Sequence, residues 1–181
     1  LVIILSLIVC SAAPSIFSKE RARSGPPSAV LVADLTTNKI LHAHNHHKKI
    51  YPASLTKLMT LYILFDELQS SNISFDSKFK VSEKASNMPP CKIGLQPGEY
   101  ITVRDVALAL IVKSANDVAL VCAENISGDE SKFAALMNRT AKSLGMRNSY
   151  FVNASGWHNS NQYSTAADLL ILTKALKTHF P

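Results

Sequence analysis

The segment from Pro52 to Gln69 constrains the fold of this chain more than any other. A proline at its start suits a chain that enters a helix. The apolar residues that follow recur at the spacing of one helix face, and they are Leu58, Leu61, Tyr62, Phe65 and Leu68. Ser54 and Lys57 lie one helical turn apart and therefore share a face. The sequence thus predicts a helix that begins near Ser54 and carries a hydroxyl beside an amine.

Ser54 and Lys57 together have the chemistry of a nucleophile and its base. A serine hydroxyl is a weak nucleophile until a base accepts its proton, and a neutral lysine can do so if burial or a neighbouring cation lowers its pKa. At a helix N-terminus the free N–H groups and the helix dipole favour developing negative charge, so the N–H of Ser54 can donate to an oxyanion. Acyl transfer from a peptide or lactam carbonyl is one interpretation. An N-cap serine followed by a surface lysine is the other, because S-x-x-K alone is common.

A second motif, Ser114-Ala115-Asn116, favours the chemical interpretation. S-x-x-K followed by S-x-N is typical of penicillin-binding proteins and class A β-lactamases. The similarity extends over further segments, which are Ala33–Leu41, Leu95–Glu99, Val103–Asp105, Leu144–Met146 and Phe151–Asn153. From about Ser28 to its last residue the chain resembles the low-molecular-mass penicillin-binding proteins that are D-alanyl-D-alanine carboxypeptidases of peptidase family S11.

This resemblance implies a fold and four residue roles. The fold would be α/β of the α+β kind, a β-lactamase/transpeptidase-like serine acyl-transferase fold with helices packed on an antiparallel sheet. Ser54 would be the acyl-ester nucleophile, Lys57 its proton acceptor and Ser114 a proton relay, while Asn116 would hold the substrate amide. The substrate would be a peptidoglycan stem peptide that loses its terminal D-alanine, and β-lactam antibiotics would acylate the same serine. The resemblance implies no cofactor and no metal.

The family's third motif, K-T-G on a later strand, has no match in the printed sequence. The nearest string, Lys177-Thr178-His179, ends a helical pattern and has an imidazole where close backbone approach needs glycine. That strand would supply a second oxyanion donor, whose loss typically costs about a hundred- to thousand-fold in rate. We therefore expect an incomplete form of the enzyme whose sheet lacks its later strands, with its own activity an open question.

Two other functions stay open on sequence grounds. One is an inactive wall-binding remnant that keeps part of the substrate groove. The other is a β-lactamase-type hydrolase, but class A β-lactamases use an additional glutamate to release the acyl-enzyme. No acidic residue lies between Glu130 and Asp168. We therefore expect slow release of a bound β-lactam, as in a penicillin target.

The first 27 residues predict export. Residues 1–13 begin with an apolar run too short to span a bilayer and continue with small residues, which is typical of part of a secretory signal peptide. Residues 14–27 contain basic residues, glycine and proline and predict a linker, so that residues 28–181 are expected to be the N-terminal part of the carboxypeptidase domain. We expect the domain in the periplasm or on the outer face of the cytoplasmic membrane.

The net charge of +6 raises the question of nucleic acid. The lysines are scattered and no RNA-binding motif is present, so an anionic wall or membrane surface accounts for the charge as well. Four histidines crowd a short span, namely His42, His44, His46 and His47. Lysines surround them and no acidic residue is near, which predicts a solvated loop rather than a zinc site.

The remaining elements are a β-hairpin and four more helices. The predicted strands are Ala29–Asp34 and Lys39–His42. The predicted helices begin after Thr102, run from about Asn116 to Asn125, run from Glu130 to Gly145, and begin at the capping-box-like Ser164–Asp168. Cys122 is expected to be a small buried hydrophobe, and a Cys91–Cys122 disulfide is left open because sequence gives no distance between them.

Overall fold

The computed structural model describes residues 28–181, so the predicted signal peptide and linker lie outside the described residues. Helices dominate this part of the chain, beside two separate two-stranded antiparallel sheets. The elements in chain order are β1 Val30–Asp34, β2 Lys39–His44, α1 Lys57–Gln69, β3 Lys78–Lys80, α2 Glu83–Ser86, β4 Tyr100–Thr102, α3 Val103–Leu108, α4 Asn116–Ser127, α5 Glu130–Leu144 and α6 Ala166–His179. A 3-10 turn, Ala53–Thr56, leads into α1, and a π-helical turn, Ala109–Lys113, continues α3.

The first sheet is the predicted hairpin of β1 and β2. Its turn is closed by Asp34, whose carboxylate accepts hydrogen bonds from the Thr36 N–H (2.8 Å) and the Thr37 hydroxyl (2.7 Å). Asn38 then takes the left-handed conformation, with φ of 59°, before β2 begins. All of β2 is exposed, so only one strand of this hairpin contacts the rest of the described domain closely.

The hairpin corrects the histidine prediction. His42 and His44 both lie on β2 rather than in a loop: His42 is the last residue of the predicted strand, and His44 joins it because the strand continues two residues further. His46 and His47 follow in the turn after it. Within residues 28–181 no three His, Cys, Asp or Glu side chains gather closely enough to hold a metal ion.

The second sheet, β3 with β4, was not predicted. Each strand has three residues, and only the central ones, Phe79 and Ile101, are buried. These two residues are partners in the ladder, so they place one apolar pair against the core. Three residues are too few for an alternating pattern to be recognised, and the sequence signal is correspondingly weak.

Helix α4 is the centre of the core. Its residues from Asn116 to Ala123 are all buried, and α1, α2, α3 and α5 pack around it. The largest fully buried side chains of this core include Met59, Leu64, Leu120, Phe133 and Met137. Because α4 is covered on every side, the polar residues at its N-terminus are held deep in the molecule.

The predicted helix starts at Thr102 and at Ser164–Asp168 are confirmed, because the Thr102 and Thr165 side chains each accept a hydrogen bond from the N–H three residues on, and Asp129 caps α5 in the same way. In a full capping box the Asp168 carboxylate would also accept the backbone N–H of the cap residue, and this part of the prediction is wrong. The Asp168 carboxylate does not return to the cap but accepts from the Asn148 N–H and the Ser149 hydroxyl, both at 2.7 Å.

Cys91 and Cys122 are both free, and Cys122 is fully buried, as expected. Burial raises the pKa of its thiol, with a smaller contribution from Glu67. None of the helices in residues 28–181 combines the length and the apolar character that crossing a bilayer requires.

Candidate active site

Ser54 lies in the 3-10 turn that precedes α1, one turn earlier than the first α-helical residue. Its side chain is exposed. Ala53, immediately before it, has a left-handed φ of 47°, a conformation that non-glycine residues rarely adopt and that concentrates at functional sites. Leu55 N–H bonds the Pro52 carbonyl (3.1 Å), whereas the Ser54 N–H has no acceptor among residues 28–181. The turn therefore presents a surface hydroxyl together with a free backbone donor.

Lys57 is buried, with 4% of its surface exposed. Its Nζ donates to Asn116 Oδ1 at 2.8 Å and to the Ser155 carbonyl at 2.6 Å. Burial lowers the pKa of this amine from 10.5 to about 8, and the nearby Cys91 thiol opposes the shift only in part. The lowered pKa raises the fraction of neutral amine near neutral pH, which favours the predicted role of Lys57 as a base.

Asn116, the first residue of α4, is the partner that the structure brings to Lys57. Its Nδ2 donates to the carbonyls of Pro89 and Pro90, both at 3.1 Å, and its backbone N–H donates to the Cys91 carbonyl at 2.7 Å. These bonds leave Oδ1 facing the lysine. The role of Asn116 in holding a substrate amide stays a prediction.

Ser114 ends the π-helical turn two residues before Asn116, in a left-handed conformation with φ of 54° and ψ of 41°. Its side chain is partly exposed. Within the described residues its hydroxyl has no hydrogen bond to Ser54 or Lys57, and its role as a proton relay stays a prediction. Left-handed backbone at a non-glycine residue thus occurs directly before Ser54 and two residues before Asn116, the hydrogen-bond partner of Lys57.

Sequence reasoning missed the loop of residues 153–157. The Ser155 carbonyl holds Lys57, and Asn153 Oδ1 closes the turn by accepting the Gly156 N–H at 2.8 Å. Gly156 has φ of 82°, and a Cβ there would collide with the Ala53 carbonyl oxygen. Asn and Gly at this spacing are a turn signal, but the contribution to the site is a backbone carbonyl, which no side-chain motif reports.

Taken together, the exposed Ser54 hydroxyl, its free backbone N–H and the buried Lys57 amine with its lowered pKa have the arrangement expected of a serine acyl-transfer site with lysine as the base, and the roles of these two residues stay predictions. The family model of the D-alanyl-D-alanine carboxypeptidases, peptidase S11, matches residues 18–181. The chain belongs to that family.

Individual relatives agree with this assignment. D-alanyl-D-alanine carboxypeptidase DacF of Bacillus subtilis (strain 168) is 34% identical over 180 residues, which are 96% of this chain and 46% of DacF. DacC of Escherichia coli (strain K12) is 33% identical over 173 residues, which are 91% of this chain and 43% of DacC. The chain therefore spans less than half the length of these curated relatives.

Solved structures confirm the predicted fold class. The D-alanyl-D-alanine carboxypeptidase DacD from Francisella tularensis matches with a TM-score of 0.84 at 34% identity, over 94% of this chain and 41% of that one. Penicillin-binding protein D2 from Listeria monocytogenes in its ampicillin-bound form matches with a TM-score of 0.70 at 29% identity, over 85% of this chain and 63% of that one.

Proposed function

We propose that this chain supplies the nucleophile and base of a serine-type D-alanyl-D-alanine carboxypeptidase. Ser54 attacks the carbonyl of the terminal peptide bond of a peptidoglycan stem peptide, D-alanine leaves, and water then releases the shortened peptide. β-Lactams acylate the same serine. The observation that carries this proposal is Lys57, whose pKa is lowered to about 8 and which is held one turn after an exposed serine.

The two acceptors of Lys57 give the proposal its mechanism. A neutral amine has two hydrogens and one lone pair, and Asn116 Oδ1 with the Ser155 carbonyl can take both hydrogens. The lone pair is then free to accept the Ser54 proton as the Oγ–C bond forms. The proton passes to the leaving amine as the C–N bond breaks, with Ser114 as the relay. The Ser54 N–H donates to the oxyanion.

Export to the periplasm or to the outer face of the cytoplasmic membrane belongs to this proposal, because cell-wall peptides lie there. The net charge of +6 supports association with an anionic membrane or wall surface. The names of the relatives support the substrate, and the ampicillin bound to the Listeria protein supports acylation by β-lactams.

The test is to incubate the chain with a fluorescent penicillin and to map the adduct by mass spectrometry. We expect label on Ser54, its loss in Ser54→Ala, and its retention in the matched control Ser143→Ala, an exposed serine on α5. Label on another serine would contradict the proposal. A folded chain that takes no label would indicate the wall-binding remnant, and rapid loss of the label would indicate a β-lactamase-type hydrolase.

A further inference from the structure

Asp117 follows Asn116 in α4 and takes no part in the chemistry described above. Its side chain is fully buried, and within residues 28–181 it forms no ion pair. Its carboxylate oxygens instead accept backbone N–H groups, those of Ile93 (3.1 Å), Gly94 (3.0 Å), Leu95 (3.4 Å) and Val118 (2.9 Å). Burial of a carboxylate is tolerated when such donors replace its hydration. Three of these four donors come from one loop.

We call this loop, residues 89–95, the strap. Its second half is held by Asp117, as described. Its first half is held by Asn116, which donates from Nδ2 to the Pro89 and Pro90 carbonyls and from its backbone N–H to the Cys91 carbonyl. Two consecutive residues of α4 therefore bind opposite ends of the same strap.

The strap fixes the orientation of the Asn116 amide. Both Nδ2 hydrogens are directed at strap carbonyls, and Oδ1 is left to accept from Lys57 Nζ. If the amide turned over, Oδ1 would face two carbonyl oxygens and Nδ2 would face a lysine that donates, so both contacts would become repulsive. The position of the strap therefore determines whether Lys57 finds an acceptor at this place.

We propose that Asp117 is a positioning residue for the acylation of Ser54, which holds the strap against Asn116 and thereby keeps the Asn116 oxygen on Lys57. The proposal rests on the proposed function. Without the carboxylate, the N–H groups of residues 93–95 lose their acceptor and the strap loosens. Lys57 then loses a hydrogen-bond partner and gains contact with water.

Asp117→Asn is the decisive variant, because it removes the charge and one acceptor oxygen with little change in volume. Asp168→Asn is its matched control. Asp168 is also buried, also lies in the first turn of a helix, and also accepts a backbone N–H, from Asn148 at 2.7 Å. It contacts neither the strap nor Lys57.

Three readouts separate positioning from general destabilisation. Alkylation of Cys91, quantified on its peptide by mass spectrometry, reports opening of the strap. The pH dependence of reductive methylation of Lys57 reports its pKa. The second-order rate of acylation by penicillin reports the chemistry. Relative to the control, we expect Asp117→Asn to alkylate at least about tenfold faster, to move the Lys57 pKa up from about 8, and to acylate at least about tenfold more slowly.

Gly94→Ala provides a second route if Asp117→Asn does not fold. Gly94 is exposed with φ of 86° and no neighbour within 4 Å of an added Cβ, so alanine strains the strap without disturbing the core. The proposal is overturned if the folded strap variants keep the Cys91 reactivity and the Lys57 pKa of the control, or if they acylate as fast. A wild-type chain that takes no acyl group refutes the proposed function instead, and the Cys91 and Lys57 readouts then still decide whether Asp117 holds the strap.

Discussion

At the scale of single residues, Lys57 is buried, and its burial has a direct chemical consequence. An amine removed from water holds its proton less tightly, and the two oxygen acceptors fix its direction at the same time. Neither property can be read from the sequence, because the desolvation depends on the packing of α4 and the loop of residues 153–157 around α1. The spacing to Ser54 singled out Lys57, but the burial that lowers its pKa could not be predicted, and its role as the base stays a prediction.

Lys57→Arg should abolish most acylation, because arginine keeps the positive charge but does not become a neutral base. We expect the second-order rate with penicillin to fall by at least about a hundred-fold, the size of a general-base contribution. Circular dichroism would establish that the fold is kept. Lys84→Arg is the control, since Lys84 is exposed and pairs with Glu130. Near-normal acylation of Lys57→Arg would exclude the proton-acceptor role.

The lowered pKa of Lys57 also predicts a pH dependence of stability. Between about pH 8 and 10.5 the unfolded chain holds a proton on Lys57 that the folded chain has lost. The free energy of unfolding should therefore rise with pH in that window, by at most about 1.4 kcal/mol per pH unit. Urea unfolding of the wild type and of Lys57→Met measures the difference, which isolates this residue. Parallel pH curves for the two proteins would mean that Lys57 is not deprotonated on folding.

At the scale of elements, the caps and periodicities predicted the helices well because they are local signals. Thr102 and Thr165 cap the helices that the sequence predicted to begin there. The strap, the 3-10 turn at Ser54 and the sheet of β3 and β4 were not predicted. Each of these depends on contacts between distant parts of the chain, such as those of Asp117 with residues 93–95. The sequence therefore singled out Lys57 and Asn116, which the structure brings together, and missed the backbone that holds them; the catalytic roles stay predictions.

Gly156→Ala should displace the loop of residues 153–157 from the Ser54 turn. The added Cβ would collide with the Ala53 carbonyl, and the residue would also be strained at φ of 82°. Gly145→Ala is the matched control, because it has a similar φ of 87° at the end of α5 but open space around the Cβ. We expect Gly145→Ala to lose about 1 kcal/mol in urea unfolding, and Gly156→Ala to lose more than that and to lose acylation as well. Equal acylation in the two variants would show that the close approach to Ala53 is dispensable.

At the scale of the whole molecule, the core partly covers β1 of the first hairpin but leaves β2 exposed. Ile40 and Leu41 on β2 are 53% and 52% exposed, and within residues 28–181 this strand pairs with β1 alone. An exposed apolar strand of this kind favours self-association.

Replacing Ile40 and Leu41 by threonine should reduce that association, because threonine keeps the strand propensity and removes most of the apolar surface. Light scattering against protein concentration measures the change. Val112→Thr is the control, since Val112 is 81% exposed but lies in the π-helical turn and not on a strand. Identical scattering by the hairpin variant and the wild type would show that another surface mediates the self-association.

Within residues 28–181 two free thiols lie at different depths, and each reports a different opening motion of the chain. Cys91 lies partly exposed in the strap, whereas Cys122 is sealed in α4 among the most protected residues of the core. An alkylating reagent reaches the first whenever a local segment opens, and the second only when the cooperative unit that contains α4 comes apart. The ratio of the two labelling rates in one sample would therefore measure how much more often the strap opens than the domain unfolds.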